Sequence, residues 1–383
     1  MVLQETELID SALRLLQSRL PPGWTVAQAE GQGAGSGEGD GLFAFNAQSG
    51  MGMGTAIVQA KCNFGPADVD RLLGGLTRRL REAAGPRPIL LVSDFLSPRT
   101  RELLTREDIS YLDLTGNIRL VMQTPPLFVE VNGAERRPST TTTKRSAGLA
   151  GAKVGSVVRF LAEVVPPYGV KDIEEATGIS RGYVSRVLDR LADEALIRRE
   201  PRGPVETVDW PAMLRQRGQA VDLFRANAAR TYVSSNGAGA VLEALPRSAA
   251  ADGVVVTGSF AAVRKAPVAG PALLVMYVVP SGGVPSFDRA VTELGLRPTD
   301  EAADVVLLLP SNDRVLKDTW IDGGVRFVNL PQLAVDCLGG SGRMPAEGDA
   351  LIDWMQANPG HWQYPSLAEY LSLIHISEPT RPY

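Results

Sequence analysis

The side chains best placed to do chemistry lie between residues 180 and 202. The run 178–200, GISRGYVSRVLDRLADEALIRRE, puts Val184, Val187, Leu188 and Leu191 on one stripe of a helix predicted over 181–194. Arg181, Ser185, Arg186 and Arg190 fall on the opposite face, with Ser180 placed to cap the helix and Tyr183 beside them. Guanidinium groups bond phosphates and the acceptor edge of guanine, and hydroxyls reach bases or backbone, so this face suits the major groove of double-stranded DNA. Arg199 and Arg202 follow in a hairpin predicted over 198–208, with Arg202-Gly203-Pro204 at its tip. A basic hairpin there can hold the backbone or enter the minor groove. A second, sparser set is Asp40 followed after eighteen residues by Gln59-Ala60-Lys61 at the end of a predicted strand.

These residues need scaffolding, and the flanking sequence predicts it. Val157, Val158, Phe160, Leu161 and Val164 recur at helical spacing and define a first helix stopped before Pro166-Pro167. Residues 170–177 make a short second helix with Ile173 and Ala176 inward. Gly178 then supplies the turn and Ile179 plugs it. Three helices and a hairpin over 154–210 are the winged helix-turn-helix arrangement, in which the third helix enters the major groove. The alternative use of such a module is protein docking. Its charge is mixed: from 154 to 209 there are eight Arg/Lys and ten Asp/Glu, a net of −2, but Glu174 and Glu175 sit on the second helix while the arginines gather on the third helix and wing. Segregation matters more than the sum at the range over which salt screens. The pattern resembles the winged helices of bacterial regulators of the IclR and MarR type.

Elsewhere the chain alternates helices and strands. Residues 5–20 form an amphipathic helix. Strands are predicted over 24–29, 42–46, 55–61, 88–93, 110–113, 117–121 and 127–131, with helices over 66–84 and 98–105. The order α-β-β-β-α-β over 1–132 argues an α/β domain, and with Asp40 and Lys61 it resembles the PD-(D/E)xK restriction-endonuclease-like fold. In active members an Asp and a Glu bind magnesium and the Lys polarises the scissile phosphate. Here Gln59 stands at the Glu position, which removes a charge the metal needs. The resemblance thus leaves open a nuclease using Asp40 and Lys61 or a nuclease fold kept without cleavage. The glycine-rich stretch 31–41 lacks a following Gly-Lys-Ser/Thr, so no nucleotide role is expected of it. Asp113 and Asn117 are placed to order a tight turn, with Gly116 at positive φ; a ligand contact there is equally open.

A basic, Thr-rich linker over 133–153 joins this domain to the helical module. Between residues 211 and 370 lies a further α/β domain. It has a connecting helix over 212–226, strands over 253–257, 272–279, 303–309 and 325–329, and helices near 237–245, 287–294, 330–338 and 347–357. The segment 254–262, VVVTGSFAA, resembles the Gly-Ser turn of the minimal nucleotidyltransferase fold, without the paired carboxylates on the next strand. The winged helix with this half is similar to AbiEi-type antitoxin or autoregulator proteins, which implies autorepression and a toxin partner. Residues 371–383, LSLIHISEPTRPY, look like a translated sequencing adapter and are set aside.

Composition bounds the rest. The 383 residues are 44% hydrophobic and 21% charged, ordinary for globular domains, and the net charge of −4 excludes a generally polycationic nucleic-acid coat. Two cysteines, Cys62 and Cys337, are too few for a disulfide framework and fit a reducing cytoplasm. With residues 371–383 set aside, His361 is the sole remaining histidine, so histidine catalysis is not expected. No run approaches the ~20 apolar residues of a membrane span. The expectation is an α/β multidomain, cytoplasmic, non-enzymatic DNA-binding transcriptional regulator with no cofactor or metal. A homodimer and a toxin or small-molecule effector are the further partners left open.

Overall fold

The computed structural model describes residues 5–29, 40–47, 52–72, 87–135, 148–279 and 287–377. The expected glycine-rich loop lies almost wholly outside them, as do most of the 66–84 helix and of the basic linker. The chain is mixed α/β and divides into two compact units, residues 1–144 with 192–195 and residues 145–191 with 196–383. Apart from residues 192–195, the helical module and the C-terminal sheet therefore share one unit.

In the first unit, helix α1 (Glu5–Arg19) precedes strands β1 (Trp24–Gln28), β2 (Gly41–Ala47) and β3 (Met53–Ala60). Helix α2 (Pro66–Arg71), β4 (Ile89–Ser93), α3 (Pro98–Arg106), β5 (Ser110–Asp113), β6 (Ile118–Met122) and β7 (Leu127–Val131) follow. The seven strands lie in sequence order in one sheet, antiparallel at both ends and parallel across β3, β4 and β5. Side chains alternate between its faces. Phe43, Phe45, Val58, Leu90 and Val92 pack on Leu8 and Leu16 of α1, whereas Ile57, Leu91 and Tyr111 pack with Leu104 and Ile109 on the other side. β4 is covered on both faces, which is why it reads as an unbroken Ile-Leu-Leu-Val run.

The turn after β5 is built as its sequence suggested. Fully buried Asp113 accepts from the amides of Leu96, Thr115 and Asn117, from the Thr115 hydroxyl at 2.6 Å and from Asn117 Nδ2 at 2.8 Å. Asn117 Oδ1 accepts from Arg101 and the Gly133 amide, and Gly116 takes φ +100°. One carboxylate thus organises the β5–β6 turn and the approach to α3.

The second unit opens with α4 (Ala152–Glu163), α5 (Val170–Thr177) and α6 (Arg181–Asp193), then the hairpin β8 (Ile197–Arg199) and β9 (Val205–Val208). Helix α7 (Trp210–Ala220) leads through α8 (Leu223–Ala226) into β10 (Ala228–Val233), α9 (Gly237–Ala244), β11 (Val254–Thr257), α10 (Ser259–Ala262) and β12 (Leu274–Val278). Then come α11 (Asp288–Glu293), β13 (Arg297–Pro298), β14 (Val305–Leu309), β15 (Trp320–Asp322), β16 (Val325–Phe327), α12 (Leu330–Leu338), α13 (Met344–Ala357) and α14 (Leu367–Ser377). The sheet order is β13-β10-β14-β12-β11-β16-β15, with β11, β12 and β14 at its apolar centre. Helix α14 runs through the start of the 371–383 segment that the sequence reading set aside. Both cysteines are free thiols, and among the described residues no helix is long and apolar enough to cross a membrane.

Buried arginines join the helices to this sheet domain. Arg159 on α4, 7% exposed, donates to the Arg314 carbonyl at 2.5 Å and to Asp318 at 3.1 Å, and its Nε lies 3.9 Å from Glu163. Arg217 on α7 donates to the Leu149 and Gly151 carbonyls, and a Cβ at Gly155 would collide with its guanidinium. Burial lowers the Arg217 guanidinium to about 10. Beneath them Asp336 accepts from Thr257, Tyr277 and Gln332, and its burial raises it to about 6 against those hydrogen bonds.

Two outcomes follow from these buried carboxylates. Asp113→Ala orphans several buried donors and should cost the first unit about 2–4 kcal/mol in urea unfolding of the full chain; a loss within error of zero overturns the organising role given to Asp113. The second concerns Glu163, faced by Arg159, Asp318, Tyr364 and Tyr370. Burial pushes it up to about 7, with Arg159 opposing and Asp318 reinforcing. Its folded value lies above the unfolded one, so its contribution to stability is complete below the ordinary carboxylate range and is lost as pH rises through about 7. Glu163→Gln should therefore gain stability relative to the parent between about pH 5 and about pH 8, and parallel melting curves across that window would contradict it.

Candidate nucleic-acid interface

Local chemistry sets the turn that presents α6. Thr177 closes α5 by donating its hydroxyl to the Ile173 carbonyl, and Gly178 adopts φ +64°, a left-handed conformation that glycine takes without a Cβ clash. Ile179, buried, plugs the corner. The Ser180 carbonyl accepts from the amides of Tyr183 and Val184 at 2.9 and 3.0 Å, starting α6. Glu174 on α5 completes the start, since its carboxylate accepts from the Arg181 amide at 3.3 Å and pairs with the Arg181 guanidinium. That hydrogen bond holds Glu174 below the usual carboxylate range. The start of α6 thus involves Glu174 as well as Ser180, the cap that the sequence predicts; a Glu seven residues before an Arg across a tight turn is the local signal for it.

Below the exposed face of α6, Val184, Val187, Leu188 and Leu191 are buried as the periodicity required. The hairpin is anchored independently: the Val205 amide donates to the Tyr168 carbonyl at 2.8 Å, and buried Tyr168 meets Phe160 edge to face. Helix and wing are therefore fixed to the same α4–α5 corner.

The singled-out residues then fall into three groups. Ser180, Arg181 and Arg186 are exposed at the leading end of α6, and Arg202 is exposed at the hairpin tip with φ +61°. Tyr183, Ser185 and Arg190 are half-buried. The Tyr183 ring has Lys153 Nζ at 5.8 Å and the Arg186 guanidinium at 5.7 Å from its centroid, so two cations lie over one half-buried aromatic ring. Arg186 Nε also donates to the Gly182 carbonyl at 3.1 Å, which steadies it along the helix. Arg199 stands apart. Its side chain is only 6% exposed and pairs with Asp189 of α6, so its charge is directed inward and braces the wing on the helix instead of facing solvent. The position of Lys153, added to this face by folding, was not among the sequence-selected residues.

Asp40, immediately before β2, and Gln59 on β3 are also brought together in the first unit. Asp40 Oδ2 accepts from Gln59 Nε2 at 2.5 Å and from the Ala60 amide at 2.8 Å, and Gln59 is 2% exposed. An oxygen already held by an amide donor, with a neutral side chain in place of the second carboxylate, fits a divalent cation poorly. Among the described residues no group of three His, Cys, Asp or Glu is placed to hold a metal. In the second unit, Gly258 takes φ +68° at the end of β11, and the Ser259 hydroxyl is hydrogen-bonded to buried Glu347; β12 carries no carboxylate.

Comparison of the chain with protein-family models, with curated proteins and with solved structures returned no match.

Proposed function

We propose that this protein is a sequence-specific DNA-binding transcriptional regulator acting in the cytoplasm, with α4 to β9 as its winged helix-turn-helix. The observation that carries the reading is the exposed leading end of α6, where Arg181, Arg186 and Ser180 project beside Tyr183 while the wing extends Arg202 from the same corner. A helix of this kind reads base edges through its N-terminal residues, and the wing adds a backbone or minor-groove contact. The Glu174 pair with Arg181 is compatible with this role, because a surface ion pair is weak and a phosphate can exchange for the carboxylate. Arg199 has a positioning role here, holding the wing at a fixed angle to α6.

The first unit is read as a restriction-endonuclease-like domain that does not cleave. Its support is the α-β-β-β-α-β order together with the Gln59 amide on Asp40. The domain would then serve binding or assembly.

The regulator reading is tested by titrating a selected operator with the parent, Arg186→Ala, Arg202→Ala and the double variant at several salt concentrations. A base-reading arginine should cost roughly 1–3 kcal/mol and relax the preferred sequence. A phosphate contact should weaken all sequences alike and flatten the salt slope by about one unit. A correctly folded double variant that binds DNA as tightly as the parent makes the module a docking element and removes the assignment. For the first unit, no appreciable cleavage of duplex DNA is expected with magnesium or manganese; cleavage abolished by Lys61→Ala would restore the nuclease.

A further inference from the structure

A cavity of about 60 Å³ lies within the second unit, between α4, α7, α8 and the segment that follows β14. That is room for a few waters or one small oxyanion. Its wall carries three guanidiniums, Arg159, Arg217 and Arg314, against one carboxylate, Asp336. Two of these four groups are already engaged. Arg159 holds the Arg314 carbonyl and Asp318. Asp336 accepts from Thr257 and Gln332 at 2.7 Å and from Tyr277 at 3.1 Å, and among the described residues it makes no ion pair with an arginine.

Arg217 and Arg314 are not so provided. Arg217, 8% exposed, holds the Leu149 and Gly151 carbonyls through Nη1 alone, and its Nε and Nη2 have no hydrogen-bond partner among the described residues. Nor are those two nitrogens sealed off: the unpartnered guanidinium nitrogens without accessible surface belong to Arg99, Arg101, Arg119 and Arg199. Gly155, in the same wall, leaves them uncovered, because a Cβ there would collide with Nη2. Arg314 gives Nη2 to the Thr177 carbonyl, and its Nε and Nη1 have no partner among the described residues. Neither guanidinium has a carboxylate in contact. Short contacts join the two along one wall. Ser156, next to Gly155, accepts from Asn312 Nδ2 at 3.4 Å, and Asn312 Oδ1 accepts from the Arg314 amide at 3.1 Å.

The electrostatics ask for an anion. Burial lowers Arg217 to about 10, with Asp336 opposing without contact, and burial together with Arg159 lowers Arg314. A guanidinium taken largely out of water is costly without counter-charge, and waters in the cavity would satisfy its N–H groups but leave the charge uncompensated. Nε and Nη2 form the side edge of the guanidinium fork, the edge that takes an oxyanion through two parallel hydrogen bonds. We propose that this cavity binds a small oxyanion, a carboxylate or a phosphate, on Nε and Nη2 of Arg217 with Arg314 as the second cation. The site stands whether or not the protein binds DNA.

The test is calorimetry and thermal shift on the full chain with sodium phosphate, sulfate and acetate up to roughly 10 mM, against chloride at matched ionic strength. At least one oxyanion is expected to bind saturably and to raise the melting temperature where chloride does not. Phosphate or sulfate without acetate identifies a tetrahedral oxyanion as the ligand class, acetate alone a carboxylate, and binding of both leaves charge as the selector. Arg217→Lys keeps a cation and a donor for the two carbonyls but loses the fork, and should weaken binding at least about tenfold. Asn312→Asp keeps the oxygen that accepts from the Arg314 amide and adds a carboxylate to the wall, so it should weaken binding by a similar factor. No saturable binding beyond chloride, or an unchanged affinity in either folded variant, overturns the site. Where Arg217→Lys does not fold, Asn312→Asp decides alone.

Discussion

A guanidinium taken out of water must be given partners, and the second unit is arranged around that constraint. Arg159 sits in the middle of α4 and finds its acceptors on the turn after β14, at the Arg314 carbonyl and Asp318. An isolated buried charge would be very costly, so α4 has one acceptable position against the sheet domain. Arg314 repeats the logic in the other direction by reaching the end of α5. Arg217 ties α7 to the segment before α4, and the missing side chain of Gly155 makes room for it. Buried ion pairs contribute little net stability but fix geometry strongly. Here they set the angle at which the helices are held.

That placement leaves the back of the helical module committed and its front available. Val184, Val187, Leu188 and Leu191 are used in the core, and Glu174 and Asp189 hold Arg181 and Arg199 from either side of α6. The exposed cationic surface is consequently smaller than the count of arginines suggests: Arg199 is turned inward, and Arg186, Arg198 and Arg202 are exposed on the helix and hairpin. A local patch of this kind is consistent with a module whose net charge is negative, because contacts at a groove act within a Debye length.

The first unit follows a different rule. Its sheet is buried at the centre on both faces, and its polar order is concentrated in one carboxylate, Asp113, which gathers three amides from the β5–β6 turn and the approach to α3. Asp40 performs a smaller version of the task by holding the end of β3 through the Gln59 and Ala60 donors. Both aspartates are used as acceptors for the chain itself.

Much of this was legible in the residues because it depends on short-range pattern. Helical periodicity located α4, α5 and α6, the glycine after α5 marked the turn, and the alternation or apolar runs of the strands placed most of both sheets. Strand β10 escaped because its residues are almost all exposed and carry no apolar run. The candidate contacts were legible by type and face, but their availability was not. Whether Arg199 faces solvent or Asp189 depends on how the hairpin folds back on α6. The long-range partnerships were beyond any local pattern: Arg159 meets the Arg314 carbonyl across 155 residues, Ser259 meets Glu347 across 88, and Thr257 meets Asp336 across 79. Sequence by itself determined which elements form and which faces they bury, since propensity and periodicity act within a few residues. Only the tertiary structure decided which charges are neutralised, which remain exposed and which polar atoms are left unmet, because each of those outcomes depends on burial and on partners that folding alone brings near.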